Sequence, residues 1–285
     1  MSATAREKQL RGWSLVGPGL LWTIAFFLVP LFIMAAYSLF QRVGGRIVTD
    51  LSLANYRLFF EKPHHHDALF NSLEVAVVTA AVSMFLAYPL AYILAYRVPP
   101  RWQRIALVAA ILPFWTSYVV RSYSWLLVLS SEGIVSKALQ WTGLCDGPVA
   151  IANTRAATII GFVHFFTMLL TLTIFANLVQ IPASYRRAAA DLGASAFQTF
   201  WRVTLPLSIP GVMVGAFLTL VLTLGDYITP QILGGYRELL LPQAIMLQIQ
   251  RNADFPMASA MSMILMVVIS AVFVIFSRWL KIERL

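Results

Sequence analysis

The sequence predicts an all-α membrane protein with six transmembrane helices, and three observations support this. Of the 285 residues, 59% are hydrophobic and only 12% are charged, whereas a soluble domain averages about 25% charged residues. Several stretches without any charge reach the roughly 20 apolar residues that cross a bilayer. No sustained alternation of apolar and polar residues, which would indicate β-strands, competes with them. The composition therefore excludes a soluble enzyme and a disordered chain.

The first three predicted helices follow from the spacing of the charges. Residues 12–41 carry no charge, and this run is too long for the apolar part of a signal peptide, so we expect a retained anchor. A second run lies between Glu74 and Arg97. A third run ends at Arg121, after which the apolar character resumes as far as Leu129. These runs predict helices near 14–39, 70–96 and 104–129.

The last three helices follow in the same way. Residues 156–185, 203–225 and 255–277 are free of charge, which predicts helices near 156–179, 207–232 and 255–279. Prolines inside or near the ends of the six helices are compatible with membrane helices, because neighbouring groups satisfy the freed backbone atoms. They are Pro30, Pro89, Pro113 and Pro230.

The distribution of Lys and Arg predicts that both termini are cytoplasmic. With that orientation, 12 of the 21 basic residues lie inside, eight lie outside, and Arg121 lies within a helix. This is the asymmetry of the positive-inside rule. We expect a cytoplasmic segment at 1–13, a six-helix domain at 14–280 that contains a cytoplasmic loop at 180–206, and a cytoplasmic tail at 281–285. The basic charge thus reports orientation in the membrane, and we expect no nucleic-acid partner.

No loop is long enough for a catalytic domain with its own core. The phosphate-binding pattern GxxxxGK[ST], the zinc pattern HExxH and the nucleophile pattern GxSxG are all absent. We therefore expect no catalytic and no metal-binding residues. The adjacent histidines at 64–66 indicate a solvated loop, and the single cysteine, Cys145, excludes an internal disulfide.

The loop at 180–206 predicts two short helices joined by a turn. Pro182 suits the first turn of a helix, and the alanines that follow are strong helix formers. Gly193 permits the positive φ of a helix end, and an amphipathic stretch with Phe197 and Trp201 follows it. The segment is either a docking surface for a partner or an ordinary connector lying among the lipid headgroups.

This loop resembles the signature EAA-x3-G-x9-I-x-LP of the membrane subunits of ABC importers. In that family the loop forms a coupling helix that docks on the ATPase subunit. Asp191 lies within the segment, Val203 stands for Ile, and Arg187 stands where the family has Glu, which reverses a charge. The residues at matching positions are Ala188, Ala189, Gly193, Val203, Leu205 and Pro206.

Four other stretches resemble the spermidine/putrescine permeases of that family. The resemblance implies a polyamine as the solute, although relatives that move opines, ferric ions or other small solutes share much of the pattern. The stretches are 71–73 with 88–92, 112–125, 225–230 and 233–235.

Three ionisable residues fall within the predicted bundle, namely Glu74, Arg121 and Asp226. Such residues are rare in membranes and mark functional sites. One alternative is an ion pair between Arg121 and Asp226 or Glu74. A second places Glu74 and Asp226 on the path of a cationic solute, with cation–π faces from Trp115, Tyr118 and Tyr227. A third is an anion site at Arg121.

Asp226 also lies between Gly225 and Pro230, which predicts an unwound outer end of the fifth helix. Broken helices line the solute paths of transporters. This end of the helix is therefore a candidate gate.

The family resemblance implies a type I ABC importer fold in a bacterial inner membrane. The implied partners are a second permease subunit, two copies of an ATPase subunit and a periplasmic substrate-binding protein, besides the lipid bilayer. No cofactor is expected on this chain, since the ATPase would use the ATP and Mg. The rival function is an ion-coupled secondary carrier or channel, and a membrane enzyme is third.

Overall fold

The computed structural model describes residues 16–235 and 238–278. The predicted N-terminal segment at 1–13 and the tail at 281–285 therefore lie outside the described residues. So do six basic residues on which the orientation partly rests, namely Arg6, Lys8, Arg11, Arg237, Lys281 and Arg284.

The described residues are mostly helical. In chain order the helices are α1 (Val16–Ser38), α2 (Ala54–Glu61), α3 (Pro63–Tyr96), α4 (Pro100–Ile111), α5 (Tyr118–Val128), α6 (Ile134–Trp141), α7 (Arg155–Leu178), α8 (Ala183–Asp191), α9 (Ala196–Gly225), α10 (Ile228–Leu233), α11 (Leu241–Gln250) and α12 (Phe255–Ser277). Strands β1 (Gln41–Val43) and β2 (Arg46–Val48) form a hairpin.

Five of these helices are long and apolar enough to cross a membrane by themselves, namely α1, α3, α7, α9 and α12. A sixth span is broken, because Pro100–Trp115 and Tyr118–Val128 meet at a bend of 84°. The prediction of six spans is thus confirmed for the described part of the chain, if the bent pair is counted as one span.

The continuous third helix predicted at 104–129 is wrong. Residues Leu112–Trp115 tighten into a 3₁₀ turn around Pro113, which has no N–H to donate. Thr116 and Ser117 then adopt extended backbone angles, with ψ of 149° and 130°, before α5 begins. The run without charge identified the span but gave no sign of this break.

The fifth predicted helix, 207–232, is wrong at both ends. Its observed counterpart α9 begins at Ala196, where Ser195 and Gln198 form a capping box. The helix continues through Pro206 because a wide π-type turn, Phe200–Thr204, precedes it, and Leu205 N–H donates to Phe200 O. The helix ends at Gly225, and Asp226 is extended. The unwinding predicted at this end is therefore confirmed.

The described residues fall into two compact units, one of 16–63 with 245–266 and one of 64–235, 238–244 and 267–278. In the first unit, Gly44 and Gly45 have φ of 59° and 82° and form the turn between β1 and β2. Such a turn requires positive φ at both central residues. The sequence analysis predicted no strand here, although the Gly-Gly pair was the available signal. Asn55 Nδ2 fixes the base of the hairpin by donating to Ser38 O and Phe40 O.

The core of the second unit is the packing of α7 against α9. Gly211 and Gly215 are spaced four residues apart, as in the GxxxG pattern that allows membrane helices to approach closely. A Cβ on Gly211 would lie 2.4 Å from the Asn177 Cβ, and one on Gly215 would lie 2.5 Å from a Leu170 methyl group. A cluster of buried side chains from α3, α7 and α9 surrounds this contact, including Ala87, Ala91, Leu170, Ile174, Leu178 and Val212.

Candidate translocation and coupling sites

The two breaks in the spanning helices lie next to each other. Tyr118 is the first residue of α5, directly after the first break, and Asp226 follows α9 at the second. The Tyr118 hydroxyl donates to Asp226 Oδ2 and is also hydrogen-bonded to the Thr229 hydroxyl of α10. The structure thus brings together two of the predicted path residues, and it adds Thr229, which the sequence analysis missed.

Asp226 holds the start of α10 in place. Its Oδ1 accepts a hydrogen bond of 2.8 Å from Ile228 N–H, and its Oδ2 accepts one of 3.4 Å from Thr229 N–H. Among the described residues, no basic nitrogen lies within 4.0 Å of this carboxylate. The carboxylate is only half-buried, and a carboxylate can accept about four hydrogen bonds. Asp226 therefore has room for a further hydrogen-bond donor.

Arg121 is buried, with 8% of its surface exposed. Its Nη1 donates to Pro113 O at 3.0 Å, and its guanidinium lies 5.4 Å from the ring centre of Tyr118 and 4.9 Å from that of Phe165. Within the described part of the chain, no carboxylate oxygen lies within 4.0 Å of Arg121. The ion pair of Arg121 with Asp226 or Glu74 is therefore wrong. Arg121 donates to Pro113 O and lies against the Tyr118 ring, whereas Asp226 accepts from the Tyr118 hydroxyl.

Glu74 has a different basic partner, Arg155 at the start of α7. Arg155 Nη1 lies 2.5 Å from Glu74 Oε2, its Nη2 donates to Asn71 Oδ1 at 2.8 Å, and its Nε lies 3.0 Å from Glu238 Oε2. The Glu74 side chain is 57% exposed. The sequence analysis gave no role to Arg155 or Glu238, because only the fold brings these charges together.

Two further path candidates expose their aromatic rings. Trp115, which ends the 3₁₀ turn, is 84% exposed, and Tyr227, between α9 and α10, is 39% exposed. Since Trp115 precedes one break and Tyr227 lies within the other, both rings are available near Tyr118 and Asp226 for contacts outside the chain.

The predicted coupling loop forms α8 and the turn that follows it. Gly193 has a φ of +81°, its N–H donates to Ala190 O, and Ala194 N–H donates to Ala189 O. The predicted turn is therefore confirmed. The separate second helix is wrong, because its residues form the first turns of α9. Leu205 and Pro206 thus lie inside a spanning helix.

The surface around this turn exposes three large apolar side chains. Leu192, Phe197 and Trp201 are 89%, 72% and 53% exposed. A concavity of about 440 Å³ lies beside the turn, with Ala189 and Arg202 among its walls. Ala188, Arg187 and Asp191 are also exposed on α8. Apolar patches of this kind mark surfaces that bind a partner or a membrane.

Arg186, and not Arg187, connects α8 to the rest of the bundle. Its guanidinium stacks 3.7 Å from the ring centre of Tyr96 at the end of α3, and the Tyr96 hydroxyl donates to Leu178 O at the end of α7. A displacement of α8 would therefore act on α3 and α7. The sequence analysis did not identify this contact, since it depends on two residues that are far apart in the chain.

Comparison with known proteins identifies the kind of protein that carries this arrangement. The family of binding-protein-dependent transport system inner membrane components matches residues 87–281. The spermidine/putrescine transport system permease protein PotB of Haemophilus influenzae is 30% identical over 258 residues, which cover 90% of this chain and 90% of PotB. The inner membrane ABC transporter permease protein YdcU of Escherichia coli is 32% identical over 271 residues, which cover 90% of this chain and 85% of YdcU.

Solved structures support the same fold. A chain of the bacterial alginate ABC transporter, solved in complex with an alginate pentasaccharide-bound periplasmic protein, superposes with a TM-score of 0.79 at 16% identity and covers 98% of this chain and 96% of its own. The chain belongs to the family of binding-protein-dependent transport system inner membrane components, as a permease subunit of an ABC importer.

Proposed function

We propose that this permease subunit moves a polyamine, and that the solute passes the junction of the two broken helices. The observation that carries the proposal is the carboxylate of Asp226, which has no basic partner within 4.0 Å among the described residues and lies beside the hydroxyl of Tyr118. A carboxylate beside aromatic groups suits an ammonium group. The names of relatives such as PotB support the same class of solute.

The proposal includes the partners that the family resemblance implies. A second permease subunit forms the path together with this chain, and a periplasmic binding protein delivers the solute to the face opposite α8. Two ATPase subunits dock on the exposed surface of α8 and the Gly193 turn. The ATPase subunits use the ATP and Mg, and this chain binds no cofactor. Both termini are cytoplasmic in this arrangement.

Spermidine uptake by the wild-type importer and by an Asp226 variant tests the solute and the role of this residue. Asp226→Asn keeps an oxygen that can accept from Ile228 N–H but removes the charge. We expect uptake of labelled spermidine to fall by about 10-fold or more, the loss expected when a charge-assisted contact is removed. Recovery of the assembled complex and its basal ATP hydrolysis should stay the same. Asp50→Asn, which neutralises an exposed carboxylate near the hairpin, is the control.

The possible outcomes separate the alternatives for Asp226. Loss of assembly in Asp226→Asn would assign a structural role to this residue. Unchanged spermidine uptake in Asp226→Asn would exclude this residue from the solute path. Absence of spermidine uptake by the wild-type importer would contradict the polyamine and favour another small solute, such as an opine or a ferric ion complex.

Substitution of Gly193 tests the role of the coupling loop. At a φ of +81° any side chain strains the backbone, at roughly 1 kcal/mol or more. We expect Gly193→Val to reduce the ATPase subunit that co-purifies with this chain. Gly143→Val is a matched control, because Gly143 has a φ of +73° and equally open surroundings but lies between α6 and α7.

A secondary carrier remains the alternative from another class of transporter. The purified chain would then take up solute into liposomes without ATP, and neither glycine substitution would alter a bound ATPase. Uptake that depends on ATP and on the ATPase subunits would exclude the carrier.

A further inference from the structure

A cavity beside α5 contains a positive charge that the proposed path does not use. It has a volume of about 270 Å³, and its walls include Thr116, Val120, Arg121, Ser124, Trp125 and His164. Arg121 is the only charged residue among its lining residues. The cavity therefore offers its contents one fixed positive charge and no carboxylate.

Besides Arg121, the cavity has a second hydrogen-bond donor, His164. Trp125 Nε1 donates to His164 Nδ1 at 3.0 Å, which leaves the proton of a neutral imidazole on Nε2. The hydroxyls of Thr116 and Ser124 already donate to the carbonyl oxygens of Pro113 and Val120, at 2.7 Å and 2.9 Å. The hydrogen-bond donors that remain available in the cavity are thus the Arg121 guanidinium and His164 Nε2.

Arg121 is incompletely satisfied within this chain. A guanidinium has five N–H donors, and in the described residues one of them reaches an acceptor, Pro113 O at 3.0 Å. The two aromatic contacts lie on the faces of the group and use none of its hydrogens. A buried cation without a counter-charge is strongly unfavourable, so buried charges are normally paired.

The face of α5 that borders the cavity is mixed in polarity. Its side chains at the cavity are Val120, Arg121, Ser124, Trp125 and Val128. The bend of 84° lies at the same place, with Thr116 and Ser117 in extended conformation. Irregular backbone at membrane depth occurs where protein or a water-filled cavity covers it. Water alone would leave the buried Arg121 without a counter-charge, which a protein side chain can supply, so we take protein as the cover of this face in the assembled importer.

We propose that the second permease subunit covers this face of α5 and inserts a carboxylate into the cavity, where it pairs with Arg121 and accepts from His164 Nε2. The inference rests on the proposed function, because that function supplies the second subunit. It also excludes the solute as the source of the carboxylate, since a polyamine carries no anionic group. Charge complementarity thus identifies both the face and the chemistry of its partner.

Charge reversal in the complete importer tests the pairing. The complex is purified through a tag on this chain, and the second permease is quantified. We expect Arg121→Glu to reduce its recovery by about 10-fold or more, as expected when one member of a buried ion pair is reversed. Arg121→Lys should retain most of it. Arg46→Glu, at an exposed arginine of the hairpin, is the control and should have no effect.

A compensating substitution identifies the partner residue. Replacing the correct Asp or Glu in the spanning segments of the second permease by Arg should restore recovery with Arg121→Glu. Failure of every such acidic position to restore it would overturn the inference, as would wild-type recovery in Arg121→Glu. If Arg121→Glu assembled normally and lost uptake only of carboxylate-bearing solutes, the carboxylate that pairs with Arg121 would come from the solute. The inference would then be wrong.

Cysteine cross-linking keeps the inference testable if Arg121→Glu does not accumulate. In a Cys145→Ser background, Ser124→Cys should cross-link to cysteines placed in the second permease, whereas Phe85→Cys, 77% exposed on α3, should not. Absence of a cross-link from Ser124→Cys would overturn this inference but would leave the proposed function unaffected. Absence of a second permease from the wild-type complex would overturn both this inference and the proposed function.

Discussion

At the scale of single residues, Arg155 connects α3, α7 and the segment after α10. Its guanidinium contacts Glu74 and Asn71 of α3 and also Glu238. Nε is buried and lies 3.0 Å from Glu238 Oε2, but its N–H is not directed at that oxygen. Glu238 is therefore held by charge attraction without a well-formed hydrogen bond, whereas Glu74 and Asn71 accept directed ones.

We expect Arg155→Gln to lower the free energy of unfolding by about 1–2 kcal/mol. The estimate is modest because the carboxylates are 57% and 50% exposed, and solvent weakens such pairs. Thermal unfolding in detergent measures the change. Arg57→Gln is the matched control, since its pair with Glu61 is 83% and 54% exposed within one helix and should contribute less than about 0.5 kcal/mol. Equal effects of the two substitutions would show that Arg155 has no special structural role.

At the scale of elements, the positions of the spans were predictable and their breaks were only partly so. Runs without charge report which residues avoid water, and this fixed α1, α7 and α12 to within a few residues. The break before Tyr118 was missed because Pro113 was compatible with either a kink or a complete interruption. The break at Asp226 was predicted because Gly225 and Pro230 flank an acidic residue.

The same distinction applies to the candidate sites. Tyr118 and Asp226 were identified from their residue types, but their direct contact depends on how two breaks pack together. The contacts of Arg186 with Tyr96 and of Arg155 with Glu74 join residues more than 80 positions apart. No local pattern in the sequence encodes such pairs.

The close contact of α7 with α9 gives the prediction at this scale. In Gly211→Ala the new Cβ would lie 2.4 Å from the Asn177 Cβ and 2.7 Å from its Cγ. The helices must separate to accommodate it, so we expect a loss of about 1–3 kcal/mol in stability. Gly225→Ala in the same helix has nothing within 4 Å of the new Cβ and should be neutral in the same thermal assay. An unchanged unfolding temperature in Gly211→Ala would show that α7 and α9 can separate at little cost in stability.

At the scale of the whole molecule, the orientation in the membrane decides which partner meets which face. The exposed apolar surface around Gly193 can meet the ATPase only if it is cytoplasmic, and α6 would then face the opposite compartment. The basic residues support this arrangement, with 12 inside and eight outside. Since the count predicts opposite sides of the membrane for α6 and α8, the orientation can be measured directly.

Labelling of single cysteines in intact cells provides that measurement. In a Cys145→Ser background, Trp141→Cys and Leu192→Cys replace side chains that are 90% and 89% exposed, so a difference in labelling reports the compartment and not burial. We expect a membrane-impermeant maleimide to label Trp141→Cys in intact cells, and to label Leu192→Cys only after the inner membrane is permeabilised. Without ATPase subunits, Leu192→Cys should be labelled more completely, because docking would cover it. The reverse pattern in intact cells would place α8 on the side of the binding protein, and the proposed coupling surface would then be wrong.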